Sequence, residues 1–227
     1  MNRVFVLGSM NMDMVMQAER MPLAGETIRG AGFFLNAGGK GANQAVAVKR
    51  SGGALKFCAC VGDDIFGERL VNTLREFDVD TENVRTIAGT SSGLAQITVV
   101  NGDNRIILYG GANESLDAEA AEKFLADAGK GDIFLTQLEI APAVVLTSLK
   151  TAKERGMQTI LNPAPAQNFR REMLKFTDIL IPNETEAKSI SGKTDIEEAA
   201  LALSEGVREV IVTVGDKGCI CSNGRSI

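Results

Sequence analysis

The sequence predicts an α/β fold in which helices cover a doubly wound, mainly parallel β-sheet, with a small antiparallel β-sheet beside it. After residue 117, apolar runs of strand length alternate with stretches that carry apolar residues at helical spacing, an order typical of parallel sheets. The run Arg3–Leu7 is apolar after its first residue and is followed by a glycine, as expected of a buried central strand. Residues 94–100 and 105–109 flank a turn at 101–104, which predicts a hairpin of the small sheet.

The remaining elements follow in chain order. Residues of about 14–36 and 84–111 are predicted to form the small sheet, with short strands at 14–16 and 27–29. The pair Asp63 and Asp64 precedes a helical pattern, and we interpret it as helix capping rather than chemistry. Further core strands are predicted at 56–61, 133–138, 159–161, 179–181 and 210–214. Helices are predicted at 41–51, 117–128, 142–155, 184–191 and 195–205.

Composition limits the classes of function. A chain of 227 residues with 44% hydrophobic content can bury the core of one large domain spanning 1–227. The net charge of −5 and the lack of a Lys/Arg run argue against nucleic acid, and no apolar run is long enough to cross a membrane. The N-terminus begins on a strand without a signal-peptide pattern, so we expect a cytoplasmic protein. The sequence contains no histidine, which excludes Ser-His-Asp catalysis and His-ligated zinc.

The four cysteines form two Cys-x-Cys pairs, Cys58 with Cys60 and Cys219 with Cys221. Each pair lies in an apolar run of strand length, where residues two apart share a face. A four-thiolate metal site would require both pairs to converge, and structural zinc pairs usually have wider spacing. We therefore expect buried free thiols at all four positions.

Three glycines, Gly38, Gly39 and Gly41, lie within four residues and directly precede a predicted helix. Glycine allows a sharp turn and a close approach of ligand to backbone, and a helix N-terminus offers free N–H groups. Lys40 adds a positive charge, and Asn43 adds a donor and an acceptor. The segment suits a polyhydroxylated or anionic small molecule, although a tight loop that merely opens a helix explains the same pattern.

Polar residues also follow the predicted core strands, at the edge where α/β sheets bind ligands. Asn11 and Asp13 come after the first strand and can bind hydroxyl groups, with an Asx turn as the alternative. Glu139 follows the strand at 133–138, where it can equally complement the N-terminus of the next helix. Asn183 and Glu186 have the spacing of a capping box, which would explain both residues without a ligand.

The run from Gly38 to Ala45, Gly-Gly-Lys-Gly-Ala-Asn-Gln-Ala, is similar to the first signature of the ribokinase, or PfkB-type, family of sugar kinases. The run from Gly8 to Asp13 resembles the sugar-binding opening of that family. Other members usually vary the Lys-Gly part, so the match indicates the ribokinase branch. The resemblance covers the whole chain and includes the Asn-x-x-Glu motif at Asn183 and a Thr-x-Gly-x-x-Gly run from Thr213 to Gly218.

The resemblance implies transfer of the γ-phosphoryl group of ATP to the 5-hydroxyl of D-ribose, assisted by Mg²⁺ and a monovalent cation such as K⁺. It implies that the small sheet is a lid over the sugar, through which two subunits form a homodimer. The implied sugar ligands are Asn11, Asp13, Gly38, Gly39, Lys40, Gly41, Asn43 and Glu139. The implied nucleotide contacts are Asn183, Thr213, Gly215 and Gly218, with Glu186 organising magnesium through water. For the last glycine run, an ordinary turn is the alternative.

The second signature of the family, a Gly-Ala-Gly-Asp run with the anion hole and the catalytic Asp, has no counterpart in this sequence. We expect that Asp, and the ligands of the monovalent cation, beyond Ile227, so the fold lacks its C-terminal part and no catalytic residue is assigned. Two alternatives stay open: a related sugar or nucleoside kinase such as a deoxyribokinase, and a sugar-binding or interaction protein without catalysis.

Overall fold

The computed structural model describes residues 2–224 and 226 of the chain. Within this range the strands are β1 (Arg3–Leu7), β2 (Asn11–Gln17), β3 (Gly32–Gly38), β4 (Ala54–Gly62), β5 (Asn83–Ile87), β6 (Gly93–Val100), β7 (Asp103–Tyr109), β8 (Ile133–Thr136), β9 (Gln158–Leu161), β10 (Ile179–Leu180), β11 (Glu209–Thr213) and β12 (Cys219–Ser222). The α-helices are α1 (Lys40–Arg50), α2 (Ile65–Glu76), α3 (Ala118–Phe124), α4 (Pro142–Glu154), α5 (Glu184–Ser191) and α6 (Ile196–Ser204).

Eight of these strands form the large sheet, in the order β12-β11-β10-β9-β8-β1-β4-β5. Neighbouring strands run parallel except β11 and β12. The chain first builds outward from β1 through β4 to β5, and then returns to place β8 on the other side of β1. The strand order therefore reverses between β1 and β8, which is where open α/β sheets leave a crevice for ligands.

Helices pack on both faces of this sheet, as the doubly wound prediction requires. Alternate residues of β1 divide between two cores, with Phe5 and Leu7 facing one helix layer and Val6 facing the other. The first core includes buried side chains of α3, α4, α5 and α6, and the second includes those of α1 and α2. None of the helices among residues 2–224 is both long and apolar enough to cross a membrane.

The small sheet has the strand order β3-β2-β6-β7 and is mixed, because β2 pairs in parallel with β6 while the other pairs are antiparallel. The prediction of a strand at 27–29 is wrong, since the partner of β2 begins only at Gly32 and runs through Gly38. The predicted segment 84–111 also starts too early. Its first strand, β5, pairs with β4 in the large sheet, because α2 returns the chain there and residue alternation does not specify which sheet a strand joins.

The helix boundaries follow the predicted caps. Asp64 accepts a hydrogen bond from the backbone N–H of Gly67, so its interpretation as a cap is confirmed. Asn183 and Glu186 form the reciprocal capping box at the start of α5. Helices α1, α4, α5 and α6 lie within one residue of the predicted bounds, whereas α3 ends at Phe124 rather than near residue 128.

All four cysteines are free, but only one pair is buried as predicted. Cys58 and Cys60 lie in β4 against the first core. The prediction of burial is wrong for Cys219 and Cys221, which are exposed. They lie on β12, the edge strand of the sheet, and it is the intervening Ile220 that packs against the core.

Candidate active site

The polar residues identified from the sequence lie along one edge of the large sheet, where its parallel strands end. Asn11 and Glu139 follow β1 and β8, the two strands at which the strand order reverses. Asn183 and Gly215 follow β10 and β11, at the other end of the same edge. The structure therefore divides the predicted residues into two groups, named here after their predicted roles: a sugar end, near β1 and β8, and a nucleotide end, near β10 and β11.

At the sugar end, the Glu139 carboxylate binds two distant segments of the chain, the loop after β1 and the start of α1. Its Oε2 atom accepts hydrogen bonds from Ser9 Oγ at 2.6 Å, from the backbone N–H of Lys40 at 3.0 Å and from Asn11 Nδ2 at 3.2 Å. Lys40 is the first residue of α1, and the N-cap Gly39 has no side chain with which to cap that helix. Glu139 thus places its negative charge at the N-terminus of α1, rather than at the helix that follows it in sequence.

Asn113 fixes the orientation of the neighbouring Asn11 amide. It is buried, and its Nδ2 donates to Asn11 Oδ1 at 2.8 Å and to the carbonyl oxygen of Met10 at 3.1 Å. Its Oδ1 accepts from the backbone N–H of Met10 at 2.9 Å. Because Asn11 Oδ1 is held by this contact, its Nδ2 points to Glu139. The Asn113 side chain thereby holds the loop after β1 in place.

Asp13 lies on β2, opposite Asn36 on β3. Burial, and then the charge of Glu139, raise the pKa of Asp13 to about 6, while a hydrogen bond from the Asn36 side chain acts in the opposite direction. The Asp13 carboxylate fits against β3 because residue 38 is a glycine, and a Cβ atom at that position would lie 2.4 Å from Asp13 Oδ2. The Glu139 carboxylate is close enough for its charge to disfavour ionisation of Asp13.

The glycine run is required by close backbone packing and by one unusual conformation. Gly39 has φ of 92°, and a Cβ there would lie 2.7 Å from the backbone nitrogen of Asn11. A Cβ at Gly41 would lie 2.4 Å from the backbone nitrogen of Ser9. The loop after β1 and the start of α1 are therefore in direct contact, and no larger residue fits between them.

A cavity of about 460 Å³ opens beside this cluster. Asn11, Asn113 and Glu139 line it, together with Leu108 and Tyr109 from the end of β7 in the small sheet. Asn43, a further predicted sugar ligand, is exposed on α1 and lines a different cavity, of about 550 Å³, between α1, α2 and β3. The structure thus brings Asn11, Asp13, Glu139 and the glycine loop together, and places Asn43 to one side of them.

The nucleotide end is built from local contacts. Asn183 Oδ1 accepts from the backbone N–H of Glu186 at 2.8 Å, and Glu186 Oε2 accepts from the backbone N–H of Asn183 at 2.9 Å. Thr213 pairs with Asn183 through a parallel β-bridge and is exposed. Gly215 and Gly218 have φ of 62° and 98°, and a Cβ at either position would meet no heavy atom within 4 Å. The glycines of this turn therefore face open space, whereas the glycines of the sugar end are closely packed against backbone.

Three contributors to the site were not identified as ligands or positioning residues from the sequence. Ser9 lies inside the quoted run from Gly8 to Asp13, so that run already contained its signal. No signal in the sequence pointed to Asn113, because its short helical turn at 111–115 follows β7 and is far from β1 in sequence. Gln137 is fully buried, and its Nε2 donates to Gln44 Oε1 at 2.5 Å beneath the loop.

Sequence comparison relates the chain to carbohydrate kinases. Residues 1–226 match the family model described as pfkB family carbohydrate kinase. A ribokinase of Lactococcus lactis is 38% identical over 232 residues, which cover 100% of this chain and 75% of that protein. A deoxyribokinase of Salmonella typhi is 34% identical over 227 residues, covering 96% of this chain and 74% of that protein.

Solved structures show the same fold. The ribokinase of Thermotoga maritima superposes with a TM-score of 0.87 at 33% identity, over 100% of this chain and 76% of that one. The Arabidopsis thaliana ribokinase, solved with ribose and ATP, gives a TM-score of 0.83 at 30% identity, over 97% of this chain and 74% of that one. The chain spans about three quarters of these relatives, and it belongs to the pfkB family of carbohydrate kinases.

Proposed function

We propose that this chain carries the sugar-binding and part of the nucleotide-binding machinery of a ribokinase, which transfers the γ-phosphoryl group of ATP to the 5-hydroxyl of D-ribose. The observation that carries the proposal is the Glu139 carboxylate, held by Ser9, Asn11 and the N-terminus of α1 where the strand order reverses. Such a preorganised acceptor beside a second carboxylate, Asp13, suits a ligand with several hydroxyl groups.

In this proposal each polar group binds a different part of the sugar. The donors to Glu139 all use Oε2, so Oε1 is the oxygen that a sugar hydroxyl could reach. Asp13 accepts hydroxyl hydrogen bonds when it is ionised, which its pKa of about 6 allows at neutral pH. The backbone of Gly38, Gly39 and Gly41 is proposed to approach the sugar closely. Lys40 and Asn43 are proposed to contact it from α1, although Asn43 lines a neighbouring cavity in this structure.

The nucleotide is proposed to lie across the ends of β10 and β11, with Asn183, Thr213, Gly215 and Gly218 near its phosphates. Glu186 fits a water-mediated contact to Mg²⁺, because its Oε2 is used in the capping box while a second carboxylate oxygen remains. Magnesium, when bound, would neutralise charge on the phosphates. No base that accepts the hydroxyl proton is assigned among these residues. We propose that an Asp of the Gly-Ala-Gly-Asp type, as in the family, must supply that step.

Calorimetric titration of the purified chain tests the sugar site without requiring turnover. We expect D-ribose to bind, and Glu139→Ala or Asp13→Ala to weaken it about 10- to 100-fold, as expected for loss of a hydrogen bond to a charged group. Glu82→Ala, which removes an exposed carboxylate elsewhere, is the matched control. Unchanged ribose affinity in both site variants would remove these carboxylates from the site.

The same titration separates the proposed substrate from its closest alternative. The similarity to a deoxyribokinase makes 2-deoxy-D-ribose the competing ligand. Ribose binding at least tenfold tighter than 2-deoxyribose supports a ribokinase, and the reverse order supports a deoxyribokinase. A chain that binds neither sugar but retains its fold by circular dichroism would contradict both.

We also propose that the small sheet is a lid that pairs with a second copy of the chain. Its strand β7 is exposed along its whole length and carries Ile106, Ile107 and Tyr109 at 52%, 70% and 57% exposure. Exposed apolar edge strands of this kind usually find a partner. Light scattering should give a dimer that Ile107→Lys dissociates and Ile65→Lys, at an equally exposed position on α2, does not. A monomer at high micromolar concentration would contradict the proposal.

A further inference from the structure

The two Cys-x-Cys pairs have the same spacing but opposite environments. Cys58 and Cys60 are buried in β4, where burial raises their pKa values to about 12 and about 11. Cys219 and Cys221 are exposed on the edge strand β12, and their Sγ atoms lie 3.9 Å apart. Six strand steps of about 4.8 Å separate β12 from β4, so the two pairs cannot share one ligand. The exposed pair is available to solvent, and neither thiol is among the proposed sugar or nucleotide ligands, although Cys219 follows Gly218 and pairs with Thr213.

The backbone geometry of this pair disfavours a disulfide. Two residues along a strand advance by about 6.8 Å, which is the upper limit of the Cα separation for a disulfide, while the two Cβ atoms need to lie within about 4.5 Å. Closing the bond would therefore distort β12, which is hydrogen-bonded to β11 from Cys219 to Ser222. A single metal ion makes no such demand. Two metal–sulfur bonds of about 2.3 Å span up to about 4.6 Å, and the 3.9 Å separation lies within that reach.

We propose that Cys219 and Cys221 form a two-thiolate binding site for a soft, thiophilic metal ion, with copper(I) as the ion that fits best. Soft thiolate ligands select copper(I), and copper(I) accepts as few as two of them. Structural zinc sites use four ligands, and the described part of the chain contains no group of three or more acidic or cysteine side chains arranged for a metal. On binding, each thiol loses its proton to solvent and its sulfur forms one bond to the ion.

Anaerobic titration of the reduced chain with copper(I), in competition with a colorimetric copper(I) chelator, tests the site. We expect one ion per chain. Cys219→Ser and Cys221→Ser should each weaken binding at least 100-fold, because each removes a direct ligand, whereas even outer-shell changes cost 10- to 100-fold. Cys60→Ala, in the buried pair of identical spacing, should leave the affinity unchanged. Circular dichroism checks that each variant is folded, and Cys58→Ala is the second control if Cys60→Ala is not.

Several results would overturn the site. The first is copper(I) binding that persists in both Cys219→Ser and Cys221→Ser. The second is loss of all copper to the chelator from the unaltered chain. A stoichiometry of one ion per two chains would show that the thiolates are shared between copies rather than paired within one strand. Tighter binding of zinc than of copper(I) would overturn the two-coordinate assignment.

Discussion

The sugar end and the nucleotide end of the sheet edge are built in different ways. Glu139 is held by donors that lie 99 to 130 residues away in sequence, and the loops around it are packed against each other's backbone. Asn183 and Glu186 are held by a capping box that spans three residues, and the glycines beyond Thr213 face open space. The sugar end therefore depends on the whole fold, whereas the capping box at the nucleotide end depends on local sequence and the glycine turn beside it has room for further contacts.

The largest expected effect concerns turnover. The chain should release ADP from ATP and ribose about 10²- to 10⁴-fold more slowly than the same chain extended through the Gly-Ala-Gly-Asp run of a ribokinase relative, because a general base contributes that much. A coupled ADP-release assay at saturating ATP, Mg²⁺ and ribose measures the difference. Comparable rates in the two proteins would show that the nucleotide end is already complete.

A matched pair of glycine substitutions sharpens the contrast in packing. Gly39→Ala should lower the free energy of unfolding by about 2–5 kcal/mol, because it adds overpacking against the backbone to an unfavourable positive φ. Gly215→Ala has only the conformational cost, about 1–2 kcal/mol, because its surroundings are open. Urea unfolding measures both values. Equal losses would mean that the two loops are packed alike.

Removing one hydrogen-bonding side chain at each end gives a smaller effect. Ser9→Ala leaves the Glu139 carboxylate without its shortest donor and should lower the free energy of unfolding by about 1–3 kcal/mol. Asn183→Ala removes an N-cap and should cost about 1 kcal/mol. Chemical denaturation again measures both. A larger loss of stability for Asn183→Ala would contradict the view that the hydrogen bonds around Glu139 stabilise the fold more than the capping box does.

The smallest expected effect is a pH dependence at Asp13. Its pKa of about 6 in the folded chain lies above the value of about 3.9 for an unfolded aspartate, so ionisation opposes folding. The stability present below pH 4 is therefore lost as the pH rises through 6. Asp13→Asn should raise the melting temperature at pH 8 by a few degrees and change it little at pH 3.5. A variant that melts lower at pH 8 would show that the carboxylate stabilises the fold.

Several elements could be assigned before the structure because their signals are local. The capping box of α5 and the Asp64 cap of α2 each involve residues within three positions of each other, and the core strands are apolar runs. The strand predicted at 27–29 was wrong for the opposite reason, since β3 is defined by its register against β2. Likewise, β5 joins the large sheet only because α2 returns the chain beside β4.

The cysteine pairs show the same limit. The spacing at Cys58 and at Cys219 is identical, and both pairs lie on strands. One strand is in the interior of the sheet and the other is at its edge, and that position decides which thiols are exposed. Strand order depends on which distant segments pair, and residue spacing within one strand does not record it.

The fold class, the glycine run that opens α1 and the polar residues at the strand ends could be predicted from the sequence, because helix and strand periodicity and glycine conformation are properties of neighbouring residues. The folded structure was needed to find that Glu139 accepts from the N-terminus of α1 and that Asn113 orients Asn11. It also placed Asn43 beside a different cavity. The contacts of Glu139 and Asn113 join positions about 100 residues apart in sequence, so they form only when the chain folds, and Glu139 reaches α1 because β8 lies next to β1.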